Sequence, residues 1–261
     1  MGSRANAGTK RQRRQVAVKW VWSRVSFRSM IDRPALLLDL DGTLVDSVYQ
    51  HALAWHKALE LAGIELSVWR IHRRIGMSGG LLADSLARET GHELSEEDAA
   101  KLKKEHARLF AAQLGDVRPL PGAQDLVRHL TKMGVSWAVA TSGALASAQP
   151  LLKLVNLPPS VPVITRDDVA HAKPDPDLWI AAALRLGVPI ESAIAVGDSV
   201  WDLLAARRAR ALGVGVLSGG YGRMSWSAQG PTGFMKTRQT SCCTSMNSGF
   251  VLTSDSASRK P

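Results

Sequence analysis

Ala35-Leu36-Leu37-Leu38-Asp39-Leu40-Asp41-Gly42-Thr43 is the stretch on which the fold turns. The apolar run Ala35–Leu40 reads as a strand, and it ends in two carboxylates followed by glycine. Carboxylates at an apolar strand end are costly unless something cationic binds beside them. A turn after an edge strand is the competing account, since Asp-Gly is common in turns. Further strand-like runs occur at Val135–Ala140, Val161–Thr165, Ala193–Val196 and Val214–Leu217, separated by helix-like stretches. That alternation predicts an α/β fold, a Rossmann-like parallel sheet covered by helices.

The first two strands are separated by an insertion, residues 48–115, with helical periodicity over Tyr49–Leu61, Gly80–Glu89 and Ser95–Leu114. It reads as a small helical cap on a core formed by 30–47 and 116–222. Ser95-Glu96-Glu97-Asp98 has the residue placement of a capping box, with Asp where Glu is usual. Trp55 and Trp69 are expected in the cap's interior.

Charge is unevenly distributed along the 261 residues, whose net charge is +10. Residues 1–29 hold eight basic residues and no acid, and 223–261 hold five basic residues and one acid, which leaves 30–222 at a net −2. The folded part is therefore not basic, and neither a nucleic-acid partner nor a membrane is expected. A nucleic-acid-binding protein acting through its basic ends is the reading of another class. The leader has no apolar run suited to secretion; it reads as an organelle-targeting presequence, as a disordered nucleic-acid-binding arm or, the favoured account, as sequence upstream of a true start at Met30. Both cysteines, Cys242 and Cys243, lie in the tail, so the middle has no disulfide framework or thiolate metal site, and a cytoplasmic protein is expected. The tail after Gly222 lacks periodicity. Back-translated with GC-rich codons and shifted by two bases, it reads as a short strand and an N-capped helix, so we take it as frameshifted and disordered. Such a change would remove the last edge of the sheet and could leave an inactive, truncated remnant.

Three more segments end strands with polar groups. Thr141-Ser142-Gly143 offers hydroxyls and backbone amides for phosphate at a helix start, or an ordinary N-cap. Ala172-Lys173-Pro174-Asp175-Pro176 holds a lysine in a stiff loop, or simply a solvated one. Gly197-Asp198-Ser199-Val200-Trp201-Asp202 places two acids one helical turn apart, though an N-cap followed by a surface acid would look the same. All lie at the carboxyl edge of one parallel sheet, where ligands bind in open α/β folds.

With these four segments in this order, and a cap inserted after the first, residues 31–222 resemble the haloacid dehalogenase-like hydrolase superfamily. The small helical cap resembles that of its phosphoglycolate phosphatase and beta-phosphoglucomutase group. The resemblance implies a phosphoric monoester hydrolase that acts on a small phosphorylated metabolite through an aspartyl-phosphate. It implies Asp39 as nucleophile and Asp41 as acid and base. Thr141 and Ser142 would bind the phosphoryl oxygens, and Lys173 would neutralise charge between Asp39 and phosphate. It also implies Mg2+, held by the Asp39 carboxylate, the Asp41 backbone carbonyl and Asp198; the oxygen-only ligand set suits that ion. Asp202 would hold a metal-bound water, position Lys173, or be a surface acid. Asp41 disfavours the dehalogenase branch, whose halide leaving group needs no second acid.

The cap is expected to set specificity. Arg74 and Ser78, in Arg73-Arg74-Ile75-Gly76-Met77-Ser78-Gly79-Gly80, are candidates, Arg74 for a second anionic group. A helix C-cap with solvated arginines is the alternative. His51 stands where sugar phosphomutases of the group carry a histidine that controls proton transfer, which keeps a mutase as the alternative activity. Opening and closing about Asp46-Ser47 and Gly115-Asp116 is expected to admit substrate and exclude water. No oligomeric state is implied.

Overall fold

The computed structural model describes residues 34–222 and the backbone of two short strands, Gly233–Met235 and Leu252–Thr253. The leader, and the frameshift reading of the tail apart from those two strands, lie outside the described residues.

The sheet is organised around β1 (Ala35–Leu38), which pairs in parallel with β4 (Trp137–Ala140) on one side and β6 (Ala193–Gly197) on the other. Beyond β4 lies β5 (Val163–Ile164), and beyond β6 lies β7 (Leu212–Val216). The strands β8 (Gly233–Met235), parallel, and β9 (Leu252–Thr253), antiparallel, continue the order β5-β4-β1-β6-β7-β8-β9. The chain runs outward from β1 through β4 to β5, then returns and runs outward the other way. This makes the carboxyl end of β1 a topological switch point, where a crevice opens.

Side-chain alternation divides the two faces of the sheet. Leu38, Val139 and Val196 pack with Val127, Leu130 and Leu151 of α5 (Ala123–Lys132) and α6 (Leu145–Leu154). On the other face Leu37, Ala138 and Ala195 pack with Trp179, Ala182 and Ala206 of α7 (Asp177–Arg185) and α8 (Val200–Ala209). The many alanines there let helices lie close. At Gly213 of β7 an added Cβ would come within 2.9 Å of Leu203.

The first strand is shorter than its apolar run, because hydrogen bonding turns the chain after Asp39. Asp39 N still donates to Val196 O, but Leu40 O accepts from Thr43, Leu44 and Val45 N. Gly42, at φ +76°, supplies the left-handed residue of this loop. Leu40 and Leu44 are buried beneath it, so both carboxylates stand at the sheet's edge.

The insertion forms α1 (Val48–Leu61), α2 (Val68–His72), α3 (Gly79–Thr90) and α4 (Glu96–Ala111). They share a core of Trp55, Leu59, Ile71, Leu82, Leu86 and Leu102. The sequence reading missed α2, which is too short for periodicity to reveal. It also misplaced Trp69, which is 56% exposed and packs under the guanidinium groups of Arg70 and Arg73. Ser95 caps α4, accepting from Asp98 N and donating to the Asp98 carboxylate. The two linkers to the core are paired: β2 (Val45–Asp46) runs antiparallel to β3 (Arg118–Pro119), with Asp46 opposite Arg118.

Candidate active site

Asp39, Lys173, Asp198 and Asp202 are all buried at the carboxyl edge of the sheet. Lys173 Nζ lies 2.5 Å from Asp39 Oδ1 and 2.8 Å from Asp202 Oδ1, and donates to Ala140 O at 2.8 Å. Its ammonium also sits 4.4 Å from the centre of the Trp179 ring. Burial alone would lower its pKa, but the charges of Asp202 and Asp39 outweigh that, so Lys173 is held firmly protonated.

One ammonium does not balance three carboxylates. Single ligand oxygens of Asp39, Asp198 and Asp202 lie within 4.8 Å of one another. Burial, opposed by Lys173 and reinforced by Asp202 and Asp41, raises the Asp39 pKa to about 7. Burial, followed by Asp202 and Asp39, raises Asp198 well above the ordinary range. The cluster is thus short of positive charge. Asp202 is already engaged: its Oδ2 accepts from Ser199 N and Oγ in a capping box at the start of α8. Asp198 accepts a long hydrogen bond from Thr43 Oγ1, at 3.3 Å. An all-oxygen set that is buried and underbalanced fits a hard divalent cation such as Mg2+. Glycine makes room for Asp198: a Cβ on Gly219 would fall 1.7 Å from its Oδ2, and one on Gly42 would fall 2.3 Å away.

Asp41 stands on the open side. Its Oδ1 accepts from Ser47 Oγ at 2.6 Å and faces His51 Nε2 at 3.2 Å, while Thr141 Oγ1 reaches Oδ2 at 3.4 Å. Burial works to raise its pKa, yet the His51 charge and the hydrogen bonds from His51 and Ser47 bring it below the usual value. Thr141 Oγ1 also accepts from Gly143 N, and Ser142 Oγ donates to Gly76 O of the cap.

A cavity of about 190 Å³ lies between these groups and the cap, lined on the core side by Asp39, Asp41, Thr141 and Ser142. From the cap come His51, Trp55, Gly76, Met77, Lys103 and His106, and the core loop after β5 adds Arg166. The cap loop is latched over it. Ser78 N donates to Lys173 O, Trp201 Nε1 donates to Arg73 O, and His72 Nε2 lies 2.8 Å from Gly219 O.

The structure brings together Asp39, Asp41, His51, Thr141, Ser142, Lys173 and Asp198. Two cap candidates stand elsewhere. Arg74 pairs with Glu89 and bonds to Ser85 Oγ, lining a separate groove with Trp69 and Trp201. The neighbouring acid on α3 draws it away from the cavity. Ser78 is the buried N-cap of α3, where its oxygen accepts from Leu81 N. Asp202 is no surface acid but the second anchor of Lys173. Sequence reasoning missed Trp179, Ser47, Lys103, His106, Arg166 and Gly219. Of these, only Ser47 adjoined a segment with a chemical signature.

Residues 34–210 match a family model described as haloacid dehalogenase-like hydrolase. Hexitol phosphatase A of Escherichia coli (strain K12) is 31% identical over 168 residues, covering 62% of this chain and 73% of that protein. A phosphoglycolate phosphatase of Rhodospirillum rubrum is 34% identical over 200 residues, covering 72% and 81%. The solved structure of a hydrolase from Pseudomonas syringae is similar with a TM-score of 0.74 at 46% identity, covering 76% of this chain and 91% of that one.

Proposed function

Because the chain belongs to the haloacid dehalogenase-like hydrolases and is a phosphoric monoester hydrolase like its named relatives, we propose a Mg2+-dependent phosphatase working through an aspartyl-phosphate at Asp39. The observation that carries this reading is the pair of carboxylates in opposite settings. Asp39 is locked beside Lys173 and Asp198, whereas Asp41 lies in the cavity between Ser47, His51 and Thr141.

In the first step an Asp39 carboxylate oxygen bonds to phosphorus as the bond to the leaving oxygen breaks, and a proton carried by the Asp41–His51 pair passes through Asp41 to that oxygen. In the second, Asp41 takes a proton from water as the water oxygen attacks phosphorus, which frees phosphate and restores the Asp39 carboxylate. Lys173 favours the ionised form of Asp39 against the effect of burial, and offsets the phosphoryl charge. Thr141, Ser142 and the amides at the start of the following loop hold the phosphoryl oxygens. A bound divalent cation supplies the remaining charge neutralisation between two anions. With the cap latched, bulk water is excluded from the cavity.

Lys103 and Arg166 face this cavity from opposite walls, the cap and the core. They favour a phosphorylated metabolite with a second anionic or strongly polar end, of the phosphoglycolate or sugar phosphate type. The contact of His51 with Asp41 keeps a phosphomutase as the second reading. Phosphate release from a panel of anionic and neutral monoesters, with and without Mg2+, tests both. Expected are Mg2+-dependent release, a preference for esters with a second anion, and no turnover by Asp39→Asn. Turnover by Asp39→Asn would overturn the nucleophile. A requirement for a sugar bisphosphate without phosphate release would establish the mutase.

A further inference from the structure

The acid–base group is held by more than its immediate neighbours. His51 and Trp55 lie one turn apart on α1, and His106 and Phe110 lie one turn apart on α4. The four rings interleave. Phe110 stacks on His51 at 3.7 Å between centroids, and Trp55 stacks on His106 at 4.3 Å. His51 then spans a gap edge-on: its Nε2 lies 3.2 Å from Asp41 Oδ1, and its Nδ1 lies 3.1 Å from His106 Nε2. Neither helix alone fixes that ring, because stacking on Phe110 restrains its tilt but leaves rotation within its plane. The contact at Nδ1 stops that rotation.

We propose that His106 is a positioning residue for the reaction, holding His51 through an N–H···N hydrogen bond so that His51 Nε2 stays on the carboxyl of Asp41. This rests on the reading of Asp41 as the acid and base. A neutral imidazole nitrogen either donates or accepts according to tautomer. His106 Nε2 therefore matches His51 Nδ1 whichever of the two nitrogens of His51 carries the hydrogen, a versatility no apolar side chain of that size has. Burial, followed by the neighbouring His51, keeps the His106 pKa well below its ordinary value, which supplies the neutral ring this requires. In the sequence, His106 lies in Lys104-Glu105-His106-Ala107-Arg108, a helix otherwise of charged surface type, with nothing to mark it.

The test compares His106→Leu, which keeps bulk between Trp55 and Phe110, with His106→Gln, whose amide places a donor or acceptor near the former Nε2. On a monoester turned over by the unaltered chain, His106→Leu is expected to lower kcat roughly tenfold to a hundredfold, as misplacement of a catalytic contact does, with KM changed less than about twofold. His106→Gln is expected to recover most of kcat. In protein labelled with 15N-histidine, a nitrogen–nitrogen coupling across the hydrogen bond should join His51 and His106, and should vanish in both variants. Unchanged kcat in His106→Leu, a loss confined to KM, a Gln variant as slow as the Leu variant, or absence of the coupling would each overturn the proposal. Failure of the unaltered chain to hydrolyse any monoester would instead strike the phosphatase reading, and the coupling still reports whether the two rings are joined.

Discussion

Replacing Asp39, the proposed nucleophile, should make the metal-free protein more stable as well as inert. Asp39 is buried among Asp41, Asp198 and Asp202, and its pKa rises from 3.8 to about 7 despite the adjacent Lys173. A folded-state pKa above the unfolded one means the folded chain binds more protons between about pH 4 and 7. Stability therefore falls as pH rises through that window and levels off above it. Each pH unit of displacement corresponds to about 1.4 kcal/mol, so the ionised carboxylate costs the apo fold on the order of 4 kcal/mol above pH 7. Asn at position 39 mimics the neutral acid and retains an acceptor for Lys173 Nζ. Thermal unfolding at pH 8 with a chelator should place Asp39→Asn roughly 8–16 °C above the unaltered chain, at 2–4 °C per kcal/mol for a domain of this size. At pH 5, where Asp39 keeps its proton in the fold, the difference should shrink. With Mg2+ at about a hundred times its Kd, the unaltered chain gains about 3 kcal/mol by linkage and should close most of that gap. An Asp39→Asn protein that melts at or below the unaltered chain at pH 8 without metal would refute the argument, because it would mean Lys173 alone balances the cluster.

Two further outcomes follow from neighbouring contacts. Gly219→Ala would put a Cβ 1.7 Å from Asp198 Oδ2. Calorimetric titration should show Mg2+ affinity down roughly tenfold or more, and apo stability lower by about 1–3 kcal/mol; affinity equal to the parent's would contradict the placement of Asp198. Asp168 accepts from Thr165 N and Oγ1, and these two bonds, the backbone one first, lower its pKa. A lowered folded pKa adds stability above the unfolded value near pH 4 that is lost as pH falls through the folded one. Asp168→Ala should therefore cost about 0.5–1 kcal/mol in urea unfolding at pH 6, an exposed cap being partly screened, and less at pH 3.5; a cost that grows on acidification would contradict it.

The proposed catalytic rim was legible because four segments, each with an ordinary reading by itself, all bring polar groups to one edge of a parallel sheet. Asp39 and Asp198 are acids where a sheet edge is otherwise apolar, Asp202 follows one helical turn after Asp198, and Lys173 lies in a loop stiffened by the two prolines that follow it, Pro174 and Pro176. The parallel sheet was legible from runs that alternate with helical periods, and its strands miss the expected ends by a few residues where loop hydrogen bonds compete with the ladder. Leu40 belongs to the apolar run by composition, but its carbonyl closes the turn that presents Asp41.

The cap resisted the same reasoning for a physical reason. Its residues reach the cavity through helix packing, and packing distance leaves no mark on spacing. Arg74 looked suited to an anion because glycines follow it, yet Glu89 on the next helix takes its charge. His106 and Lys103 lie three residues apart on α4 and face the cavity, though their segment reads as solvated surface. What turns that face inward is Phe110, 2% exposed, which anchors α4 beside His51. On the proposed function the sheet edge fixes which bond is broken, while recognition of the rest of the substrate depends on the α1–α4 interface. A change there can retune specificity without touching an acid, as long as the ring of His51 keeps its place on Asp41.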